Sequence, residues 1–439
     1  MFLTKKLHFY YLLTSIFYIF CYIIITPPFY VADEQAHFQK VASKENFFIF
    51  HKINVDSGVK NFTKHYFDIS EIKHITNRDY KYSLNHFDEL GSEFIFSGQF
   101  EKANIDNMQG YPITGYIFSK IGFKISKLFT DSVIYSFYLA RLFNFLLTVF
   151  ISYFVIKNIS KGKEYLFSIC SLPMSLSLIG SCSQDAMIFV YTLMIVLISY
   201  NLLNKLIVRL IVNEIFIVVI NIFCFLIILA RPTYIPFLLL PLFFIFNNSN
   251  NKTTQIFIFS IFLVLSFIFI NHYPTLPKTN VISIPQDLFF IFKLIVLDIY
   301  VNSAKYLVMM VAGLGKIDIF PSKLIILLLL VSISIIFFNF LNFKNIFNLF
   351  NLLVISICLL TLVATQLGQY MYFTDVGRTN YIQGVQGRYF IPCFILLTLC
   401  LNFSKKKINA LMNKLINFII FIFPHFNFFI LAKFYNFFY

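Results

Sequence analysis

The 439-residue sequence contains no tryptophan and little charge: 13% of its residues are Asp, Glu, Lys or Arg, against 59% hydrophobic ones. Soluble domains run nearer ~45–50% apolar, so this shortage of charge excludes a soluble globular chain and makes the protein integral to a membrane. The missing tryptophan, beside heavy use of Phe, Ile, Asn and Lys, reflects coding bias rather than chemistry. Cysteine is sparse. The seven (Cys21, Cys170, Cys182, Cys224, Cys358, Cys393 and Cys400) lie in or at the ends of apolar runs without metal-type spacing, which excludes a disulfide framework and a zinc site. The first apolar run lacks an A-x-A-like cleavage site and reads as a retained anchor. The formal charge of +15 is dispersed through short loops, so it marks topology and not a nucleic-acid surface.

Apolar stretches of about 20 residues recur, each long enough to cross a hydrocarbon core of about 30 Å. They fall at 8–26, 133–156, 164–181, 186–203, 212–230, 233–246, 255–271, 322–342, 346–367, 387–403 and 415–433, about eleven in all. The expected fold is an all-α integral membrane protein, a single polytopic helical bundle over 1–439. Lys5 and Lys6 place the N-terminus in the cytoplasm. Loops on that side then hold Lys157, Lys161, Lys163, Lys205, Arg209, Lys252, Lys344 and Lys405 to Lys407. Residues 27–132 form a long first extracytoplasmic loop and 272–321 a second. In the first, Lys120, Lys124 and Lys127 punctuate the apolar run 111–129 and predict an interfacial helix. In the second, Lys293, Asp298 and Lys305 argue for another over 284–312. No inverted repeat or pair of broken helices of the transporter kind is visible.

With this topology the unusual polar residues gather at the outer face: Asp33, Glu34, His37 and Lys40, then Asp185, Arg231, Arg378 and Arg388. Each has a bland alternative. The acids suit the positive end of a helix, and Asp185 suits a helix cap. Arg231 suits a snorkelling role, and Arg388, beside Gly387, a packed helix entrance. His37 shares a helical face with Asp33, but D-E-x-x-H lacks the second histidine of a zinc peptidase. Together the set suits group transfer from a membrane-bound phosphate. A carboxylate takes a proton or holds a divalent cation, and arginine clamps the departing phosphate.

"PPFYVADEQAHFQK" (27–40) resembles the opening signature of a bacterial family of polytopic predicted membrane proteins of unknown function, related to the GT-C class of membrane glycosyltransferases. "LARLFNFLLT" (139–148), "SLPMSLSLIGSCSQDA" (171–186), "ARPTY" (230–234), "GLGKIDIFPS" (313–322) and "GVQGRYFIP" (384–392) follow in the family's order. The resemblance implies a GT-C-like fold whose first outer loop turns an acidic motif toward a polyprenyl-linked sugar. It places the catalytic role on Asp33 and Glu34, with the same pair as ligands for Mg2+ or Mn2+ if transfer uses a divalent cation. His37, Lys40, Asp185, Arg231, Arg378 and Arg388 take substrate-binding roles. Ala32 stands where the family has proline, Lys40 where it has arginine, and Lys316 where it has tryptophan.

The leading expectation is therefore a glycosyltransferase at the outer face of the inner membrane. It would move a sugar from a polyprenyl-phosphate carrier to an envelope glycan or lipid. A lipid-linked glycan transporter or flippase, and a non-catalytic envelope assembly protein, are the alternatives. Nucleic acid is not an expected partner.

Overall fold

The computed structural model describes residues 6–44, 53–76, 93–103, 111–204, 210–249, 251–272, 288–341, 347–374, 381–401 and 410–438. The topology signals Lys5, Lys205, Arg209, Lys344 and Lys405 to Lys407 lie outside them. Among the described residues nine helical stretches are long and apolar enough to cross a membrane.

Helix α1 (Leu7–Ile25) stops because Pro27 and Pro28 follow, and Thr26 turns to extended backbone before them. Beyond this turn comes α2 (Glu34–Ala42), then a small antiparallel ribbon of β1 (Asn54–Asp56) with β2 (Phe100–Lys102), and between its strands α3 (Ser57–Thr76). With three residues in each strand, this ribbon is a small addition to an otherwise all-α membrane protein. A 3-10 turn (Ile113–Tyr116) and α4 (Ile117–Ser126) then lead into α5 (Val133–Asn158).

The stretch 164–181, expected as one span, is two short helices, α6 (Lys163–Cys170) and α7 (Pro173–Ile179). Pro173 has no amide hydrogen to continue the first helix, and Ser175 Oγ donates instead to the carbonyl of Ile169 at 2.8 Å. Helices α8 (Asp185–Leu203) and α9 (Leu210–Ala230) are unbroken. Pro232 and Pro236 then wind a 3-10 segment (Pro232–Leu238) before α10 (Leu239–Asn248).

After α11 (Lys252–His272) comes α12 (Leu288–Ala312), which fills most of the expected second outer loop and is itself long and apolar enough to cross. Helices α13 (Lys323–Phe340) and α14 (Leu349–Phe373) follow. The next apolar stretch, from Gly387 to Leu401, is a third broken one, with α15 (Ile391–Leu396) between two 3-10 turns. The chain closes with α16 (Ala410–Ile422) and α17 (Phe426–Phe438), joined at Pro424.

Contacts define two ends of the bundle. At one, Gly162 packs on Thr398 and Leu401, Tyr165 meets Phe337, and Ser249 donates to Glu214. At the other, Ala32 N donates to the Gly315 carbonyl at 3.2 Å and Asn144 Nδ2 to the Ser181 carbonyl at 2.6 Å. Over this second end sits a separate aromatic core. Phe29 meets Phe62 and Phe137 edge-on at 5.2 and 5.1 Å, and Phe38 meets Phe137 at 5.0 Å. Such pairs add about 0.5–1.5 kcal/mol each beyond area burial, enough to make the loop a folded cap.

Helix α4 closes that cap by packing against α5. A Cβ at Gly122 would come to 2.5 Å from the Leu139 carbonyl oxygen and 2.8 Å from Phe143 Cβ. Gly122→Ala must force the two helices apart, at a cost of about 1–3 kcal/mol. Thermal unfolding in detergent should show a lowered midpoint. An unchanged midpoint would mean that this contact does not hold the cap.

Candidate functional site

The turn after α1 is fixed by Arg141, which projects from the first turns of α5 and is fully buried. Its Nε and Nη2 donate to the two carboxylate oxygens of Glu34 at 2.8 and 2.5 Å. The other donors reach the carbonyls of Ile23 (3.3 Å), Thr26 (2.8 Å) and Pro27 (3.2 Å). All five guanidinium N–H groups are thereby used. Glu34 Oε1 also accepts from the backbone of Cys182 at 3.0 Å. Sequence reasoning missed Arg141, although it quoted the motif that contains it. The signal was there: an arginine inside an apolar span needs a partner.

Asp33 is placed differently from its neighbour. It takes a left-handed backbone (φ 64°), unusual for a residue with a side chain and costing on the order of 1 kcal/mol. Although it opens α2, its carboxylate does not cap the helix. It turns instead to Arg388, whose Nη2 donates to Asp33 Oδ2 at 2.5 Å while Nη1 donates to the Ala32 carbonyl at 3.1 Å. The Asp33 side chain is 45% exposed and that of Arg388 only 1%. The carboxylate is therefore the open half of the pair.

Behind Arg388 lies Asp185, at the start of α8. Its Oδ2 is 3.5 Å from Arg388 Nε and its Oδ1 accepts from Arg231 Nη2 at 3.0 Å. The Asp185 side chain thus bridges two guanidiniums in place of capping its helix. Arg231 does not simply snorkel; its guanidinium lies 3.9 Å over the Tyr389 ring. Arg388 Nε and Asp185 Oδ2 make no good hydrogen bond, and a cavity of about 10 Å³ lined by both residues lies beside them. That is room for about one water. A substrate must therefore approach from the Asp33 side.

His37 lies one turn along α2, buried, with Nδ1 2.8 Å from the Tyr116 hydroxyl. Burial pushes its pKa down to about 4, against the pull of Asp33 and Asp185 and with the help of Arg388 and Arg231. Neutral imidazole is thus the resting form. Lys40 is buried in the last turn of α2. Arg378 lies outside the described residues.

The expected cation ligands do not form a protein-built metal site. Both Glu34 oxygens and Asp33 Oδ2 already face guanidiniums, so a divalent ion would meet positive charge and a single open oxygen. Among the described residues no three His, Cys, Asp or Glu side chains cluster as metal ligands.

Residues 16–397 match the family model described as "Predicted membrane protein (DUF2142)". No curated protein and no solved structure matches the chain.

Removing one member of the buried pair leaves the other charged and unsatisfied. Arg141→Met and Glu34→Leu should each cost about 3–5 kcal/mol, and the double variant much less than the sum. Denaturation of the three variants checks this; additive losses would contradict a coupled pair. For His37, the folded state holds its proton only below about pH 4 and the unfolded chain already near 6.5. Stability should therefore fall as pH drops through that window, with one proton taken up on unfolding. His37→Gln should flatten the profile there, and an identical slope in the variant would contradict the assignment.

Proposed function

Since the chain belongs to the predicted membrane protein family DUF2142, we propose that it is a membrane glycosyltransferase of GT-C-like architecture. It moves a sugar from a polyprenyl-phosphate carrier to an envelope glycan or lipid at the outer face of the inner membrane. One observation carries the reading: a half-exposed carboxylate, Asp33, held against a buried guanidinium, Arg388, where α1 leaves the bundle.

The two acids of the motif divide the work. Glu34, saturated by Arg141, positions the turn, and Asp33 is the reacting carboxylate. A phosphate oxygen offered to Arg388 competes with Asp33 for the same guanidinium, with Arg231 behind. Release of the carboxylate lets it accept the acceptor's proton. The acceptor oxygen then bonds to the anomeric carbon, and the carbon–oxygen bond to phosphate breaks with its electron pair going to phosphate. The hydroxyl proton passes to Asp33. No step is routed through a metal ion.

The contacts also support a topology of eleven crossings. Helix α11 leaves the end marked by Glu214 and Gln255, and the segment after α12 touches Ala32 at the other. Asp298 accepts from Ile382 N and Tyr306 packs on Gly387, so α12 lies along the end that holds Arg388 despite its apolar length. The three proline-broken stretches cross in its place, and residues 288–321 stay at the outer face. Transport finds no comparable support, because Arg141, a charge inside a span, is already neutralised.

Mass analysis of envelope glycans from cells lacking the gene should show a missing sugar. The wild-type gene should restore it, and Asp33→Asn should reduce transfer by about 10²–10⁴-fold while the protein stays in the membrane. Full restoration by Asp33→Asn would remove Asp33 from the reaction.

A further inference from the structure

A second cavity, of about 410 Å³, opens between α12 and the segment 381–385, within the usual range for small-molecule sites. Its walls include Asn302, Lys305, Tyr306, Tyr381, Gln383 and Gly384. It adjoins the ion-pair cluster through shared backbone: a Cβ on Gly387, the residue before Arg388, would lie 2.2 Å from the Tyr306 carbonyl oxygen and 2.3 Å from Met310 N. Nothing larger than glycine fits there. The floor of the cavity and the mount of Arg388 are thus one packed unit.

Asp298 holds this wall in shape. Buried on α12, it accepts from Asn302 Nδ2 at 2.8 Å, from the Tyr306 hydroxyl at 2.5 Å and from Ile382 N at 3.2 Å. Gln383 N donates to Thr374 Oγ1 at 3.1 Å, which fixes the facing backbone. With Asp298 so engaged, the described groups lining the cavity are amides, tyrosines and one lysine, with Ile382 and Val385 as a small apolar patch. The Asn302 carbonyl oxygen and the Gln383 side-chain amide make no hydrogen bond among the described residues, and Lys305 is exposed.

This lining discriminates between ligand chemistries. A divalent cation would need carboxylates, and Asp298 has both oxygens occupied. A phosphate would need converging cations or backbone N–H groups, and among the described lining residues Lys305 is a single, exposed charge. A lipid tail would need a far larger apolar wall than Ile382 and Val385 supply. Amides that donate and accept, set beside tyrosine rings, suit the hydroxyls and apolar faces of a sugar ring. The geometry points to a carbohydrate-binding pocket that seats the sugar of the lipid-linked donor while its phosphate reaches Arg388. The assignment of that sugar to the donor rests on the function proposed above; the binding of a sugar in the pocket does not.

Saturation-transfer NMR on the full chain in lipid nanodiscs tests it with a panel of methyl hexopyranosides and, in parallel, inorganic phosphate. Transfer to the ring protons of at least one hexoside is expected, weakened about tenfold or more in Asn302→Leu/Gln383→Leu. Because the chain has no tryptophan, Tyr381→Trp supplies a lone fluorescent reporter at the rim, which should respond saturably to the same hexoside. Three results would overturn the inference: no hexoside binds by either readout, binding survives the double variant undiminished, or phosphate alone saturates the reporter. Hexoside binding alongside full transfer by Asp33→Asn would leave the pocket standing and remove the proposed base. Loss of transfer by Asp33→Asn without any sugar binding would do the reverse.

Discussion

A guanidinium buried at the end of an apolar bundle must be neutralised where it stands, and this requirement organises that end of the protein. Arg141 meets it through Glu34 and three carbonyls, which ties the end of α1, the start of α2, α5 and the turn at Cys182 into one joint. Desolvating such a pair costs several kcal/mol per ion before the attraction repays it. Its benefit is geometric: with Glu34 immobile, the preceding residue has one place to go. Asp33 is carried in a left-handed turn to Arg388, across 355 positions of sequence.

The second cluster is partly open, and the first is fully enclosed. Asp33, Asp185, Arg231 and Arg388 sum to zero formal charge, so the resting site holds an incoming anion only by exchanging one partner for another. The exchangeable partner is Asp33, since Asp185 is enclosed and Asp33 is 45% exposed. The backbone strain at Asp33 is consistent with a residue held for chemistry rather than for stability. Neutral, buried His37 adds no charge to this balance.

The membrane class, the first apolar helix and the long cap after it were legible in the sequence because apolar length and charge scarcity survive any packing. The convergence of Asp33, Asp185, Arg231 and Arg388 was legible only as a shared side of the membrane. Which acid meets which arginine was not, because Asp33 and Glu34 are neighbours with equal chemistry and only a left-handed turn separates their directions. Arg141 was overlooked because one cation does not spoil an apolar window. The breaks at Pro173, Pro236 and Pro392 were invisible for the same reason: proline counts little in hydropathy but removes a helix donor. Helix α12 shows the converse, being apolar enough to pass as a span while its downstream segment returns to Ala32.

The central claim is that Arg388 holds Asp33 until a lipid-borne phosphate takes its place. Carbodiimide labelling of carboxylates, read by mass spectrometry on the protein in nanodiscs with and without farnesyl phosphate, measures this exchange at the residue itself. The account predicts that the phosphate raises labelling of Asp33 and leaves Glu34 unlabelled throughout. Equal labelling of Asp33 in both conditions, or ready labelling of Glu34 without phosphate, would contradict it.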